Sequence, residues 1–424
     1  MSYIIDDKGI LKVETNRSGP FTFQIGLDQK KLVGYKTLVD HAYACFASMP
    51  RVGEMASQLE NIAMVSSIYG TNTIEGGELS EKETENTLQL GDQGSKTISQ
   101  QRVINLRNAY NLVKKIPSLA LSKISYEQRS MARTQGIISL EIHDSMILDL
   151  HKKITDGIPH EDNVPGQYRD NPKTRLTKVG NKTHGGEYAP PKCLADVNLL
   201  MGAFIEWANS KPVRELPPLY RAPLLHYYFE LIHPFWDGNG RTGRIIEAIV
   251  LQAARYMLAP YAISKYYLEN IDTYYILFNF CRKSASKGQP FPNTEFVKFH
   301  LIGMLSTINR LHDNANRIIS GLLFEANINN LITNKKINAR QQLILSQLNT
   351  NPQLGIKNVL SIQNWYKALY RKLTPRTMMR DISNLEELGL LSRTPGGDIR
   401  IKYAAQEIEL STYDITSIEY NLPE

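Results

Sequence analysis

Cysteine is scarce in this chain of 424 residues: Cys45, Cys193 and Cys281 stand far apart, in no metal-ligand spacing. That excludes a disulfide scaffold and a thiolate zinc site, and suits reduced, buried thiols. No apolar run reaches the ~20 residues that a membrane-spanning helix requires, so no membrane partner is expected. The N-terminus, MSYIIDDKGILKVE, has no basic stretch leading into an apolar core, so a signal peptide is not expected and the location read is cytoplasmic. Internal repeats and low-complexity tracts are absent, as is any Walker-type G-x-x-x-x-G-K-[ST] segment. What is present is ordinary globular material, 42% hydrophobic and 21% charged, and enough of it for two or three domains.

The charge is uneven. Residues 331–400 hold eleven Lys and Arg against four acids, and the whole chain carries a formal +7, so the remainder is close to neutral. Such a basic C-terminal segment is either an electrostatic footprint for nucleic acid or a solvated face.

Helical periodicity dominates. Residues 52–70, 139–157 and 194–210 carry apolar side chains at three- and four-residue steps, and 217–232 opens with the proline signature of a helix start. Beyond a glycine-rich segment, Ile246, Val250, Ala253, Ala254 and Met257 share one face of a helix expected to end before Pro260. Residues 174–191 alternate, contain Gly-Asn and Gly-Gly, and end in Pro-Pro, which reads as an exposed hairpin or flap. A polar segment near 311–340 leads to a helix, a turn, a second helix starting near Thr374 with an apolar stripe of Met379, Ile382, Leu385 and Leu388, and a Gly-Gly hairpin.

The glycine-rich segment is HPFWDGNGRTGR, His233 to Arg244, lying between two helices rather than after a strand. Its glycines let backbone approach a ligand, and the following helix presents free N–H groups with partial positive charge. Arg241 and Arg244, three apart on the first turn, reach an anion at that helix end. Asp237 supplies a hard oxygen of the kind that holds Mg²⁺ beside phosphates. His233 sits at the end of the preceding helix, where an imidazole could serve as a general base. Base, metal carboxylate, anion hole and arginine pair together describe phosphate chemistry on a nucleotide.

This segment resembles the signature of the Fic family, histidine-proline-phenylalanine-x-(Asp/Asn)-glycine-asparagine-glycine-arginine-x-x-arginine, with every defining position filled. LLHYYFELIHPF resembles the helix entering that motif, and GEYAPP the Tyr-x-Pro-Pro closing the family's target-binding flap. The resemblance covers roughly residues 55–310. The C-terminal part resembles a winged helix, an attachment common in bacterial members. The implied fold is mainly α, a Fic helical core with a β-hairpin flap followed by a small winged-helix domain. The implied divisions are an N-terminal helical region 1–110 with an inhibitory helix, a catalytic core 111–310, a linker helix 311–340, and a winged-helix-like domain 341–424.

The resemblance implies transfer of AMP from ATP, with Mg²⁺, to Ser, Thr or Tyr hydroxyls of target proteins and of the enzyme itself. His233 would deprotonate the target hydroxyl and Asp237 would hold the metal. Gly238, Asn239 and Gly240 would form the anion hole, and Arg241 and Arg244 would bind the outer phosphates. Phe235 would anchor the loop. Tyr274 and Tyr275 match a paired tyrosine that lines the family's adenine pocket, and Tyr275 would bind the nucleotide there. Val179, Gly180 and Tyr188 of the flap would pair with an extended stretch of the target, although this flap is longer and more basic than the family pattern. His184 within it reads as a surface histidine.

Upstream, Thr71, Glu75 and Gly76 resemble the family's inhibitory motif, (Ser/Thr)-x-x-x-Glu-(Gly/Asn). Glu75 on a helix beside the nucleotide site would pair with Arg244 and misalign ATP. Two alternatives stand beside plain transfer: an enzyme that also removes AMP from its target, and a DNA-binding regulator with toxin-like Fic activity acting through residues 341–403. Phosphotransfer, found in some relatives of this fold, fits less well with Gly240, Arg241 and Arg244. A homodimer is left open.

Overall fold

The protein is described from a computed structural model, over residues 3–49, 53–91, 96–122, 140–350 and 369–403. These residues are mainly helical, with three two-stranded antiparallel sheets. A first compact unit comprises Ala56–Leu311 with the N-terminal residues up to 49, and a second comprises the residues from His312 onward together with the first three residues of the helix that begins at Gly53.

In the first unit a hairpin of β1 (Leu11–Glu14) and β2 (Pro20–Phe23) precedes α1 (Gln29–Ser48), α2 (Gly53–Ile74), α3 (Glu81–Leu90) and α4 (Ile98–Ser122). Then come α5 (Asp144–Thr155), the flap hairpin β3 (Val179–Asn181) and β4 (Gly186–Tyr188), and α6 (Leu194–Asn209). At the centre lie α7 (Pro218–Ile232) and α8 (Asn239–Ala253), packed against each other, with α8 also against α4 and α5. Apart from Glu230, every α7 residue from Leu219 to Ile232 is buried, as is all of α8. A helix enclosed on all sides is the hub of its unit. Truncating one of its fully buried rings, Phe229 for example, costs about 3–5 kcal/mol.

The helix after the glycines is shorter than expected. It stops at Ala253, and Met257 lies past its end, 38% exposed. Arg255 and Leu258 both adopt left-handed backbone, which ends the helical ladder before α9 (Ala259–Glu269) begins. After α10 (Ile271–Ser286), α11 runs unbroken from Thr294 to Thr333. The division placed at 110/111 falls inside α4 and the one at 310/311 inside α11, the latter one residue from where the first compact unit ends at Leu311.

The second unit has its own core of Phe324, Ile328, Ile344, Leu345, Leu348, Ile382 and Leu385 among others. It contains α12 (Ala339–Thr350), α13 (Pro375–Glu387) and the hairpin β5 (Leu391–Arg393) with β6 (Ile399–Ile401). Thr374 caps α13, accepting from the Thr377 N–H at 3.3 Å. The expected stripe is displaced by one position at its start. Met379 is 67% exposed, while Met378 packs on the core with Ile382 and Leu385, the i, i+4, i+7 face. Leu388 is 38% exposed. Most of the helix expected before Thr374 falls at 351–368, outside the described residues.

Candidate active site

α7 ends at His233, whose backbone is left-handed (φ 49, ψ 61) while its N–H still bonds to Phe229 at 3.0 Å. Histidine tolerates that region better than most side chains. A buried guanidinium holds the bend: Nε of Arg169 donates to the His233 carbonyl at 2.6 Å, and the Arg169 N–H to the Pro234 carbonyl at 2.9 Å. Its other nitrogens reach Asn171 and the Ile232 carbonyl. Arg169 thus caps the last carbonyls of α7, and burial pulls its pKa down to about 10.

The loop is braced from within. The Asn239 side chain accepts from the Phe235 N–H at 2.9 Å and donates to the Phe235 carbonyl at 2.8 Å. That amide is used within the loop, and the Gly238 N–H donates to the Asp237 carboxylate at 2.7 Å. Phe235 is fully buried and stacks on His151, ring centroids 3.6 Å apart. His151 lies 2.9 Å from the Asp237 carbonyl through Nε2 and accepts from the Gly166 N–H through Nδ1 at 2.9 Å. Burial lowers its pKa to about 4, so the ring is neutral. Gly238 adopts φ 84, where a side chain would be strained.

Both arginines are paired. Arg241, fully buried, donates to Asp237 at 2.6 Å. Its Nε and Nη1 are buried without a partner among the described residues. Burial alone would raise the Asp237 pKa, but Arg241 and the Gly238 N–H hold it below the usual carboxylate range. Arg244 donates to Glu75 at 2.6 Å and to the Thr71 hydroxyl at 2.7 Å. Burial likewise opposes charge on Glu75, and Arg244 and Arg241 outweigh it. Glu75 lies in the turn just past the end of α2 rather than on the helix. A Cβ at Gly240 would meet the Glu75 carboxylate where it now lies.

A cavity of about 320 Å³ opens beside this pair. Of the residues singled out from sequence, it brings together Glu75, Gly240, Arg244, Tyr275, Val179, Gly180 and Tyr188. His233, Asp237, Gly238, Asn239 and Arg241 do not line it and follow one another along the loop. Tyr275 donates to the Ile74 carbonyl at 3.3 Å. His184 also lines the cavity, with Nε2 2.8 Å from Asp272 and its ring 5.2 Å from Tyr275.

The flap is tethered at both ends. Tyr188 donates to the Glu230 and Leu231 carbonyls, at 2.8 and 2.7 Å. Asn279 of α10 donates to the His184 and Gly186 carbonyls at 2.9 and 2.8 Å, and Lys283 to Gly185 at 2.6 Å. Arg169, His151, Asn279 and Glu230 were not singled out from sequence. The first three bond mainly to backbone, which leaves no pattern of residue types to find, whereas the Glu230 carboxylate stands 3.6 Å from Nδ1 of His233, three residues on.

Residues 141–251 match the Fic/DOC family. The chain is 35% identical over 132 residues to the protein adenylyltransferase Fic of Drosophila erecta, which covers 30% of this chain and 24% of that one. It is 34% identical over 158 residues to the protein of the same name from Drosophila grimshawi, covering 37% and 28%. The chain thus spans about a quarter of the length of these curated relatives. Among solved structures, a Fic family protein from Desulfovibrio desulfuricans aligns at 17% identity and a TM-score of 0.48, covering 88% of this chain and 97% of that one. The matched stretch holds α5, the flap, α7 and the loop, whereas Glu75 and Tyr275 lie outside it.

Proposed function

We propose that this chain is a protein adenylyltransferase, moving AMP from Mg-ATP to Ser, Thr or Tyr hydroxyls of target proteins and of itself, and that Glu75 restrains it. The observation that carries the reading is Arg241. Two of its guanidinium nitrogens are buried without partners on the first turn of a helix, one turn from Arg244. Unpartnered buried donors are costly, and an anion at a helix N-terminus would answer them. The likeness of residues 141–251 to the Fic/DOC family, and to relatives named for adenylyl transfer, supports the same conclusion.

In this reading His233 takes the proton of the target hydroxyl. The oxygen attacks the α-phosphorus, the bond to the bridging oxygen breaks, and pyrophosphate leaves with its charge facing Arg241 and Arg244. Among the described residues no cluster of three or more His, Cys, Asp or Glu could hold a metal alone. Asp237, ionised and partly exposed, fits Mg²⁺ in its usual manner, one carboxylate with the nucleotide's own phosphates, and the ion would neutralise charge there. The flap, residues 179–188, would take an extended target segment by strand addition and orient its hydroxyl.

For the second unit we keep the winged-helix reading. It is supported by α13 with its hairpin and by exposed Arg376 and Arg380, and salt-sensitive duplex binding by the full chain would favour DNA over a docking partner.

The functional test uses ATP labelled on the α- or the γ-phosphate. Label from the α-position should appear on protein, label from the γ-position should not, and His233→Ala should bind ATP while transferring nothing. Transfer of γ-label, or undiminished α-label with His233→Ala, would refute the proposal.

A further inference from the structure

Behind Arg244 lies a buried set of titratable side chains that the proposed transfer step does not use. The Tyr274 hydroxyl accepts from Nη1 of Arg244 at 3.2 Å and meets Nε2 of His226 at 3.0 Å. Nδ1 of His226 is 2.7 Å from Oε2 of Glu247. That carboxylate also accepts from the Tyr267 hydroxyl at 2.9 Å, and Nδ1 of His300 stands 3.3 Å away. Arg244, Tyr274, His226 and Glu247 are each at most 2% exposed. They are fixed on three helices, α7, α8 and α10.

Hydrogen-bond chemistry sets the sense of the chain. A guanidinium only donates and a carboxylate only accepts. With Arg244 donating to the Tyr274 oxygen, the phenol proton is free for Nε2 of His226, and the Nδ1 proton then faces Glu247. The three bonds run one way, from cation to anion, and bonds so aligned polarise one another. Burial opposes charge on Glu247, but His300 and His226 hold its carboxyl far below the usual range. Burial also keeps the proton on Tyr274.

The other contacts of Arg244 go to α2 and the turn after it. Nε bonds to the Thr71 hydroxyl at 2.7 Å, and Nη2 to Glu75 at 2.6 Å and to the Thr71 carbonyl at 3.4 Å. These are the bonds at risk when Glu75 moves aside. Tyr274 is the anchor that does not belong to the inhibitory segment. An arginine clamps phosphate well only while its planar fork is held in place.

We propose that Tyr274, His226 and Glu247 form a positioning chain that holds the Arg244 guanidinium toward the cavity once Glu75 withdraws, and so sets affinity for the outer phosphates of a nucleotide. This rests on the nucleotide-transfer reading above. The test is calorimetric titration of ATP and of AMP into the full chain carrying Glu75→Gly, alone and with Tyr274→Phe or His226→Gln added. Tyr274→Phe should weaken ATP about tenfold and leave AMP within about twofold of the parent, since AMP has no outer phosphates to lose. His226→Gln should show the same selective loss, smaller in size. With Arg244→Lys already present, Tyr274→Phe should add no further loss. Equal losses for both nucleotides, unchanged ATP binding in both variants, or full additivity with Arg244→Lys would overturn the positioning chain. A parent that binds ATP but labels no protein would remove the transfer reading and leave the chain standing, whereas a parent that binds neither nucleotide would overturn both.

Discussion

Replacing Glu75 by glycine should release the site. The carboxylate meets Arg244 through one oxygen at 2.6 Å, with the guanidinium 2% exposed and the glutamate side chain 25% exposed. A hydrogen bond between charged groups is worth about 1.5–3 kcal/mol. If ATP must displace that bond to align its terminal phosphates, removing it speeds productive binding by about 10- to 100-fold, at about tenfold per 1.4 kcal/mol. The carboxylate gains nothing from its own helix, since it stands past a C-terminus, where the dipole disfavours negative charge. Arg244 is therefore its main support. The assay is the initial rate of self-labelling from α-labelled ATP at subsaturating nucleotide. Glu75→Gly should gain 10- to 100-fold, and Arg244→Ala should gain nothing because it deletes the phosphate contact along with the restraint. Supplying AMP-modified target to the wild type separates inhibition from reversal, because release of AMP would mean that Glu75 serves removal. Unchanged labelling in Glu75→Gly would refute both roles.

Two further outcomes follow from the loop. Arg169→Lys replaces a guanidinium that serves two carbonyls and Asn171 with an ammonium that can keep only part of that set. Misplacing His233 should lower kcat on the order of 10- to 100-fold with KM for ATP nearly unchanged, and a rise in KM at constant kcat would show that Arg169 serves nucleotide binding instead. His151, with its pKa lowered to about 4 by burial, is neutral in the folded chain. The unfolded chain takes up that proton below about 6.5. Its contribution is therefore complete above pH 6.5 and is lost as pH falls toward 4, by about 3 kcal/mol at most. Thermal melts across that window should slope less in His151→Gln, and identical slopes would reject the assignment.

The chemistry was legible where it is written in neighbouring residues. His233, Asp237, the glycines and the two arginines occupy twelve positions, so their types and spacing suffice to suggest an anion site. The pair of Glu75 with Arg244, 169 positions apart, came only through resemblance to an inhibitory motif. Arg169 and Asn279 were invisible because they act on carbonyls, which every residue has. Tyr274 was noted as one of a pair, but the chain to Glu247 depends on three helices meeting, and no local pattern encodes that. The early end of α8 was missed for a different reason. Arg255 and Leu258 are not residues that announce left-handed backbone, so periodicity ran on to Met257. The stripe on α13 was misread by one position because adjacent methionines, Met378 and Met379, satisfy a helical pattern equally well.

Each arginine of the site faces one carboxylate, and under the proposed restraint only Glu75 is placed to act as a switch. Asp237 and Arg241 are four apart on the same loop and helix start, so they move together. Glu75 is carried on the turn after α2, a separate element from α8. Arg102 of α4 holds that turn, donating to the Glu75 carbonyl at 2.8 Å, with burial lowering its pKa. It makes no described hydrogen bond to Arg244 or the loop, although its charge also acts on Asp237 and Arg241. Arg102→Ala should therefore loosen the restraint while leaving the hydrogen bonds of Arg241 and Arg244 in place. One hydrogen bond from a charged donor to a neutral carbonyl, at the low end of about 1.5–3 kcal/mol, corresponds to a gain in self-labelling of about tenfold, no more than that of Glu75→Gly. In chains already carrying Glu75→Gly the same substitution should add nothing, because the turn then has no carboxylate to present. A fall in labelling, or an additive gain in the double variant, would mean that Arg102 acts on the nucleotide site itself and that restraint resides in the ion pair alone.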